Sequence, residues 1–477
     1  MSDILDKDAL DQAAALERGE ISTEELMIET LARIDAVNGE VNAIVSLRDR
    51  DAILEEARAA DKAPRKGWMH GLPLAVKDLA NVAGLPTSMG SPIFAGQIAE
   101  KDDIVVARMR EAGAIIIGKT NTPEFGLGSH TFNPVHGATH NPYDLGRSAG
   151  GSSGGAAAAL ACRMLPVADG SDMMGSLRNP AAWNNVYGFR PSWGRVPSEP
   201  HGDSFLHQLA TNGPMARSPR DVAALLDVQS GRDPRQPHCY DADPCLPEIG
   251  QETKGLRLGW LGDWGGAFPM EEGILELCET ALAQFPEIGM TVDPVAPAFE
   301  AAKIWDSWTT LRSWAVAGAS GALYEQEKTR DMLKPEAIWE IERGLSYSAM
   351  EVHRASLIRS QWFRRAAELF ESYDALILPT AQVWPFPVDW RAPQEVAGQK
   401  MDTYHRWMEV VVPVGLLGLP CLAIPAGFGA SGPAKGLPMG LQVFGPRGSD
   451  ARLLALGQAW HEKTRFTDIK PELLGNT

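Results

Sequence analysis

The 477-residue chain carries 44 Lys and Arg against 61 Asp and Glu, a formal net charge of −17, which disfavours nonspecific attraction to nucleic acid and to anionic membranes. Its 44% apolar and 22% charged content is that of an ordinary globular protein, long enough for a large core. Five scattered cysteines, Cys162, Cys239, Cys245, Cys278 and Cys421, form no CxxC pair; this argues against a disulfide framework or a zinc site and fits a reducing compartment.

The first twenty residues are acidic and amphipathic, without the basic and apolar regions of a secretory signal, and no stretch approaches ~18 uninterrupted apolar residues, so the cytoplasm is the expected location. Apolar spacing of three to four residues predicts helices through the first sixty residues, with Ser22 and Glu25 as a capping box for the second and a third over residues 52–62. The segment 70–84, HGLPLAVKDLANVAG, reads as an apolar strand with Lys77 set inside it. A helix over 103–112, the strand AIIIGKT and a long loop over 121–147 lead to the stretch 148–178, SAGGSSGGAAAALACRMLPVADGSDMMGSLR.

Beyond it, NVYGFRPSWGRVP suggests a strand and turn, residues 221–227 part of a helix, and the proline-rich segment 232–250 a boundary between halves. Strands GLRLGWL, DALILPT, PCLAIPA and PMGLQVFG then alternate with helices over about 271–284, 349–372, 402–416 and 450–464. That alternation predicts one large α/β domain over residues 1–477, with a more variable insertion over about 300–400.

Chemistry concentrates in the serine-glycine stretch. A serine hydroxyl needs a nearby base to become a nucleophile, and glycines beside it let backbone N–H groups close around a developing oxyanion. Lys77 can supply the base, because burial in an apolar strand favours the neutral amine. Ser176 as nucleophile, Ser152 as relay and Lys77 as base would make an acyl-transfer site that requires no histidine. A phosphate-binding loop is the competing use of GGSSGG, but no Walker lysine follows it.

GLPLAVKD at 71–78, GGSSGG at 150–155 and DGSDMMGSLRNPAA at 169–182 together resemble the linked motifs of the amidase signature family, with looser similarity through GFRPSWGRVP, YDALILPT and GLPCLAIPAGF. The resemblance implies a mixed central β-sheet covered by helices on both faces, a signature core over about 65–215, and a Ser-cisSer-Lys triad of Ser176, Ser152 and Lys77 with a cis peptide at Ser152. It further implies an oxyanion hole from the backbone N–H groups of Met173, Met174, Gly175 and Ser176, with Ser153, Asp172 and Arg178 bracing the loop. One departure is Met174, which stands where the family pattern has the first of two glycines; the loop there must keep ordinary dihedrals or store strain, and the side chain can reach the acyl pocket.

His130, Thr131 and Phe132 lie where the family often lines its cavity. The spacing of His130, His136 and His140 fits no metal motif, so loop hydrogen bonding is expected and neither metal nor cofactor is implied. Trp305 and Trp308 have near-helical spacing, which favours core packing; with Trp183, Trp384 and Phe386 they also stand as pocket candidates for an apolar or aryl substrate. The expected activity is hydrolysis of a small-molecule carboxylic amide through an acyl-serine, with no nucleic-acid or membrane partner and a homodimer left open. The alternatives are the glutaminase component of a tRNA-dependent amidotransferase and a noncatalytic binding or scaffold protein on the same fold.

Overall fold

A computed structural model of the chain describes residues 3–475. Helices α1 (Ala9–Glu17) and α2 (Thr23–Val41) open it, and the capping box of Ser22 with Glu25 is in place at the start of α2. Strand β1 (Ile44–Val45) and helix α3 (Arg50–Lys62) follow, then β2 (Pro73–Lys77), α4 (Ile104–Glu111) and β3 (Ile115–Thr120). The expected strand over 70–84 is thus cut to its middle: past Lys77 the chain turns, with the N–H groups of Leu79 and Ala80 donating to the Lys77 carbonyl. Strands β1, β3 and β2 form a small sheet in that order, β2 parallel to β3.

The expected loop over 121–147 folds back on itself as two short hairpins, 132–138 and 140–148. Helix α5 (Gly154–Ala161) then runs through the interior, buried at every residue. Its small side chains are needed there: a Cβ on Gly155 would stand 2.3 Å from the Asn121 nitrogen. Strand β4 (Val167–Asp172), helix α6 (Asn179–Trp183), β5 (Tyr187–Arg190), β6 (Thr211–Ala216) and α7 (Pro219–Gln229) complete the first half.

The second half supplies β7 (Arg257–Trp260), α8 (Ile274–Leu282), β8 (Thr291–Pro294), α9 (Ala301–Glu325), α10 (Pro335–Ser346), α11 (Ala349–Leu369), β9 (Ala375–Pro379), β10 (Cys421–Phe428), β11 (Pro438–Phe444) and α12 (Asp450–Thr464). The single helix expected over 402–416 is instead a 3-10 turn, Arg406–Val411, broken at Met408 and followed by a short helix, Val412–Leu417. Strands from both halves share one eight-stranded sheet, in the order β8-β7-β9-β11-β10-β5-β6-β4. Only the pairings of β7 with β8 and with β9 are parallel, so the sheet is mixed. All seven residues of β11 are buried, which requires cover on both faces; the strand is apolar but for Gln442, whose side chain donates to the Pro379 and Val410 carbonyls. The proline-rich segment 232–250 therefore separates halves of the sequence that build a common sheet.

Candidate active site

Two strand ends and one loop build the site. Lys77 is the last residue of β2, and its N–H donates to Asp169 Oδ1 of β4 at 3.0 Å, which ties the small sheet to the end of the large one. Its ammonium group reaches three hydroxyls, Ser152 Oγ at 2.8 Å, Ser153 Oγ at 2.9 Å and Ser171 Oγ at 3.1 Å. The side chain is 1% exposed. Desolvation lowers the Lys77 pKa to about 7 against the opposing pull of Asp169 and Asp172, so the free amine is well populated near neutrality.

The peptide bond between Gly151 and Ser152 is cis. Residues 129–131 hold this loop from behind: Ser129 Oγ donates to the Gly151 carbonyl at 2.6 Å, Thr131 Oγ1 to that of Gly150 at 2.8 Å, and the Gly154 N–H to Thr131 Oγ1 at 3.2 Å. Past β4, Ser176 lies in a tight turn, and it lines one cleft of about 220 Å³ together with Ser152. Among the described residues the Ser176 hydroxyl makes no side-chain hydrogen bond, so it is free to approach a substrate carbonyl.

Asp172 shapes the turn that carries Ser176. Arg178 grips its carboxylate through Nε at 2.9 Å and Nη2 at 3.0 Å, and Arg190 adds Nη1 at 3.0 Å. Despite complete burial, these guanidiniums hold the Asp172 pKa far below the usual carboxylate range. The same carboxylate accepts the N–H groups of Gly175 at 2.9 Å and Leu177 at 3.1 Å. Of the expected oxyanion donors, the Gly175 N–H is engaged by Asp172, whereas those of Met173, Met174 and Ser176 donate to no acceptor among the described residues. Gly175 is needed for another reason, since its φ is +79° and a Cβ there would press on Val411 at 2.9 Å. Met174 keeps a negative φ, so the departure from the glycine pattern is absorbed without strain, and its side chain lines the cleft.

The remaining pocket candidates stand elsewhere. His130 accepts from Ser148 Oγ at 2.7 Å and meets the Val388 carbonyl at 2.9 Å; with Thr131 it braces the serine loop and does not line the cleft. Phe132 packs against the His130 ring and under the Arg391 guanidinium. His136 and His140 also make loop hydrogen bonds, to Ser88 Oγ at 3.3 Å and the Leu145 carbonyl at 2.6 Å. Trp183 is fully buried, stacked on Trp407 and edge-on to Phe386, while Trp384 donates to the Glu272 carbonyl. Trp305 and Trp308 are buried, stack on each other at 5.8 Å with His405 edge-on to both, and are not among the residues lining the cleft.

The cleft wall is made by Leu79, Phe125, Leu127, Met173, Met174 and Met408, joined by Arg312, Ala315, Val316, Ala319 and Ser320 of α9. Sequence reasoning missed Ser171, Arg190 and Arg312. The first two sit inside quoted motifs, DGSD and GFRP, where their types alone gave no role; nothing in the spacing of α9 singled out Arg312.

A buried lysine hydrogen-bonded to serine hydroxyls that line an apolar cleft defines an α/β protein equipped for acyl transfer. The sequence matches the family model for Amidase over residues 25–454, and the chain belongs to the amidase signature family; it is an amide hydrolase. It is similar to an acylamidase of Rhodococcus erythropolis, 33% identical with 97% of this chain and 96% of the relative covered. Similarity to a glutamyl-tRNA(Gln) amidotransferase component of Thermus thermophilus is 35%, covering 96% of this chain and 98% of the relative. The solved structure of a bacterial aryl acylamidase of the amidase signature family superposes with a TM-score of 0.89 at 27% identity, covering 99% of each chain. Among the described residues no helix is long and apolar enough to cross a membrane.

Proposed function

We propose that the chain hydrolyses apolar or aryl-bearing carboxylic amides through an acyl-Ser176 intermediate. One observation carries this reading: the buried Lys77 amine lies 2.8 Å from Ser152 Oγ, and Ser152 lines the same cleft as Ser176. Ser176 Oγ attacks the amide carbon and passes its proton to Ser152, whose own proton goes to Lys77. The carbonyl oxygen becomes an oxyanion that the N–H groups of Met173, Met174 and Ser176 can receive. When the tetrahedral species collapses, Ser152 returns a proton to the departing nitrogen, and water then releases the acid by the reverse route. The apolar wall around these groups suits an aliphatic or aromatic acyl chain.

The test is release of ammonia or amine across a panel of aliphatic, aryl and peptide amides. Turnover by the native chain and its loss in Ser176→Ala are expected; comparable turnover by the variant would remove Ser176 as nucleophile. The 35% identity to an amidotransferase component favours one second reading, a glutaminase that passes ammonia to a partner. Glutamine as the sole good substrate in that panel would select it.

A further inference from the structure

Arg312 is a charged side chain, 3% exposed, on the wall of the catalytic cleft, and the reaction proposed above does not use it. Its position is tightly fixed. Nε donates to Glu340 Oε1 at 2.6 Å, Nη2 donates to the Tyr404 hydroxyl at 2.9 Å, and the guanidinium lies 5.1 Å from the centre of the Trp308 ring. Glu340 is itself locked by Ser313 Oγ at 2.6 Å and Tyr404 OH at 2.8 Å. Trp308, Arg312, Ala315, Val316 and Ala319 share one face of α9 by their spacing, which places the guanidinium between the tryptophan floor and the open cleft.

The third nitrogen is different. Nη1 carries two hydrogens, yet among the described residues its partner is the Met173 thioether, at 3.3 Å, a weak acceptor. Met173 belongs to the turn that leads into Ser176 and lines the same cleft. A buried guanidinium thus presents its under-satisfied edge close to where the acyl group must lie. Buried polar groups of this kind are normally paired, and a substrate atom can complete the set.

We propose that the Nη1 edge of Arg312 recognises a neutral hydrogen-bond acceptor, such as a carbonyl oxygen, on a part of the substrate remote from the scissile amide. This rests on the amidase reading and narrows its substrate class to amides bearing a second oxygen acceptor. The acceptor is neutral because Glu340 already balances the Arg312 charge, so a carboxylate would bring an uncompensated negative charge into a buried site. Arg312 acts in specificity, since nothing in the proton path touches it.

The experiment compares three homologous series of linear primary amides whose acyl chains end in an alkyl group, an isosteric methyl ketone or a carboxylate. At one chain length the ketone series is expected to exceed the alkyl series in kcat/KM on the order of 10–100-fold, the worth of a hydrogen bond to a charged group. The carboxylate series is expected to fall below the ketone series. Arg312→Lys keeps a cation beside Glu340 but loses the planar fork, and should bring the ketone-to-alkyl ratio towards one. Because the readout is a ratio on the same protein, a general loss of packing does not imitate it. Should Arg312→Lys fail to fold, Met173→Leu removes the competing sulfur and should raise the ratio. Alkyl amides cleaved with no ketone preference at any length, a preference untouched in Arg312→Lys or in Met173→Leu, or a preferred carboxylate would overturn the inference and leave the amidase reading intact. No cleavage in any series would overturn both.

Discussion

A lysine acts as a base only where its ammonium is made unstable, and Lys77 meets that condition through burial without an ion-pair contact to its nitrogen. Its Nζ is surrounded by the hydroxyls of Ser152, Ser153 and Ser171, while Asp169 accepts the Lys77 backbone N–H and the Asp172 carboxylate is committed to Arg178 and Arg190. With a pKa lowered to about 7, the working base is the deprotonated form, so kcat/KM should fall about tenfold per pH unit below that value and level off above it. A pH–rate profile on an uncharged amide checks this; a profile flat from pH 5 to 9 would contradict it. Lys77→Met should lose on the order of 10²–10⁴-fold, and Lys77→Arg should not restore activity because a guanidinium stays protonated. The proposed base was legible as a lysine in an apolar strand, yet Lys119 in β3 fits that description equally well. Register separates them: Val76 pairs with Lys119 and Lys77 with Thr120, so alternation along the strands points the two lysines to opposite faces. Lys119 meets Thr87 Oγ1 at 3.2 Å and Asp78 Oδ1 at 3.5 Å, away from the serines.

The turn after β4 depends on one carboxylate between two guanidiniums, all three fully buried. Asp172 also holds the N–H groups of Gly175 and Leu177, so it sets the path of the chain on either side of Ser176. Asp172→Asn would leave two buried cations without their counter-charge and should destabilise the fold by about 3–5 kcal/mol. Breaking the exposed pair Arg365–Glu368 should change stability by no more than about 1 kcal/mol. Denaturant unfolding of the two variants side by side makes the comparison, and equal midpoints would refute the structural role given to Asp172. Strand β4 itself was hard to see in the sequence. Its residues, VADGSD, lack the β-branched and aromatic pattern of a strand, and the element exists because β6 pairs with it along its whole length. Helix α9 was missed for a related reason: its buried residues include Ser307, Thr309, Arg312 and Ser313 as well as the tryptophans, so no clean apolar stripe marks it.

Over the whole molecule, the mixed sheet and its surrounding helices gather residues from distant parts of the chain at one cleft. Ser152 comes from the loop before α5, Ser176 from the turn after β4 and part of the wall from α9 in the second half, while Lys77 of the small sheet reaches Ser152 from the interior. The chemistry-bearing residues were legible because each sits in a short motif of unusual composition. The walls were not, because cavity-lining side chains such as Phe125, Val316 and Met408 are ordinary apolar residues whose convergence depends on packing between elements far apart in sequence. Trp305 and Trp308, whose spacing favours core packing, are buried on α9 and do not line the cleft. The region over about 300–400 nevertheless contributes Arg312, Ala315, Val316, Ala319 and Ser320 to the cleft.

The assignment of Ser176 as nucleophile, activated by Lys77 through Ser152, is tested most directly by reaction with a fluorophosphonate and mapping of the adduct by peptide mass spectrometry. One adduct on Ser176 is expected, absent in Ser176→Ala and strongly slowed in Lys77→Met. An adduct on Ser152, or amide turnover that persists with no modification of Ser176, would contradict it.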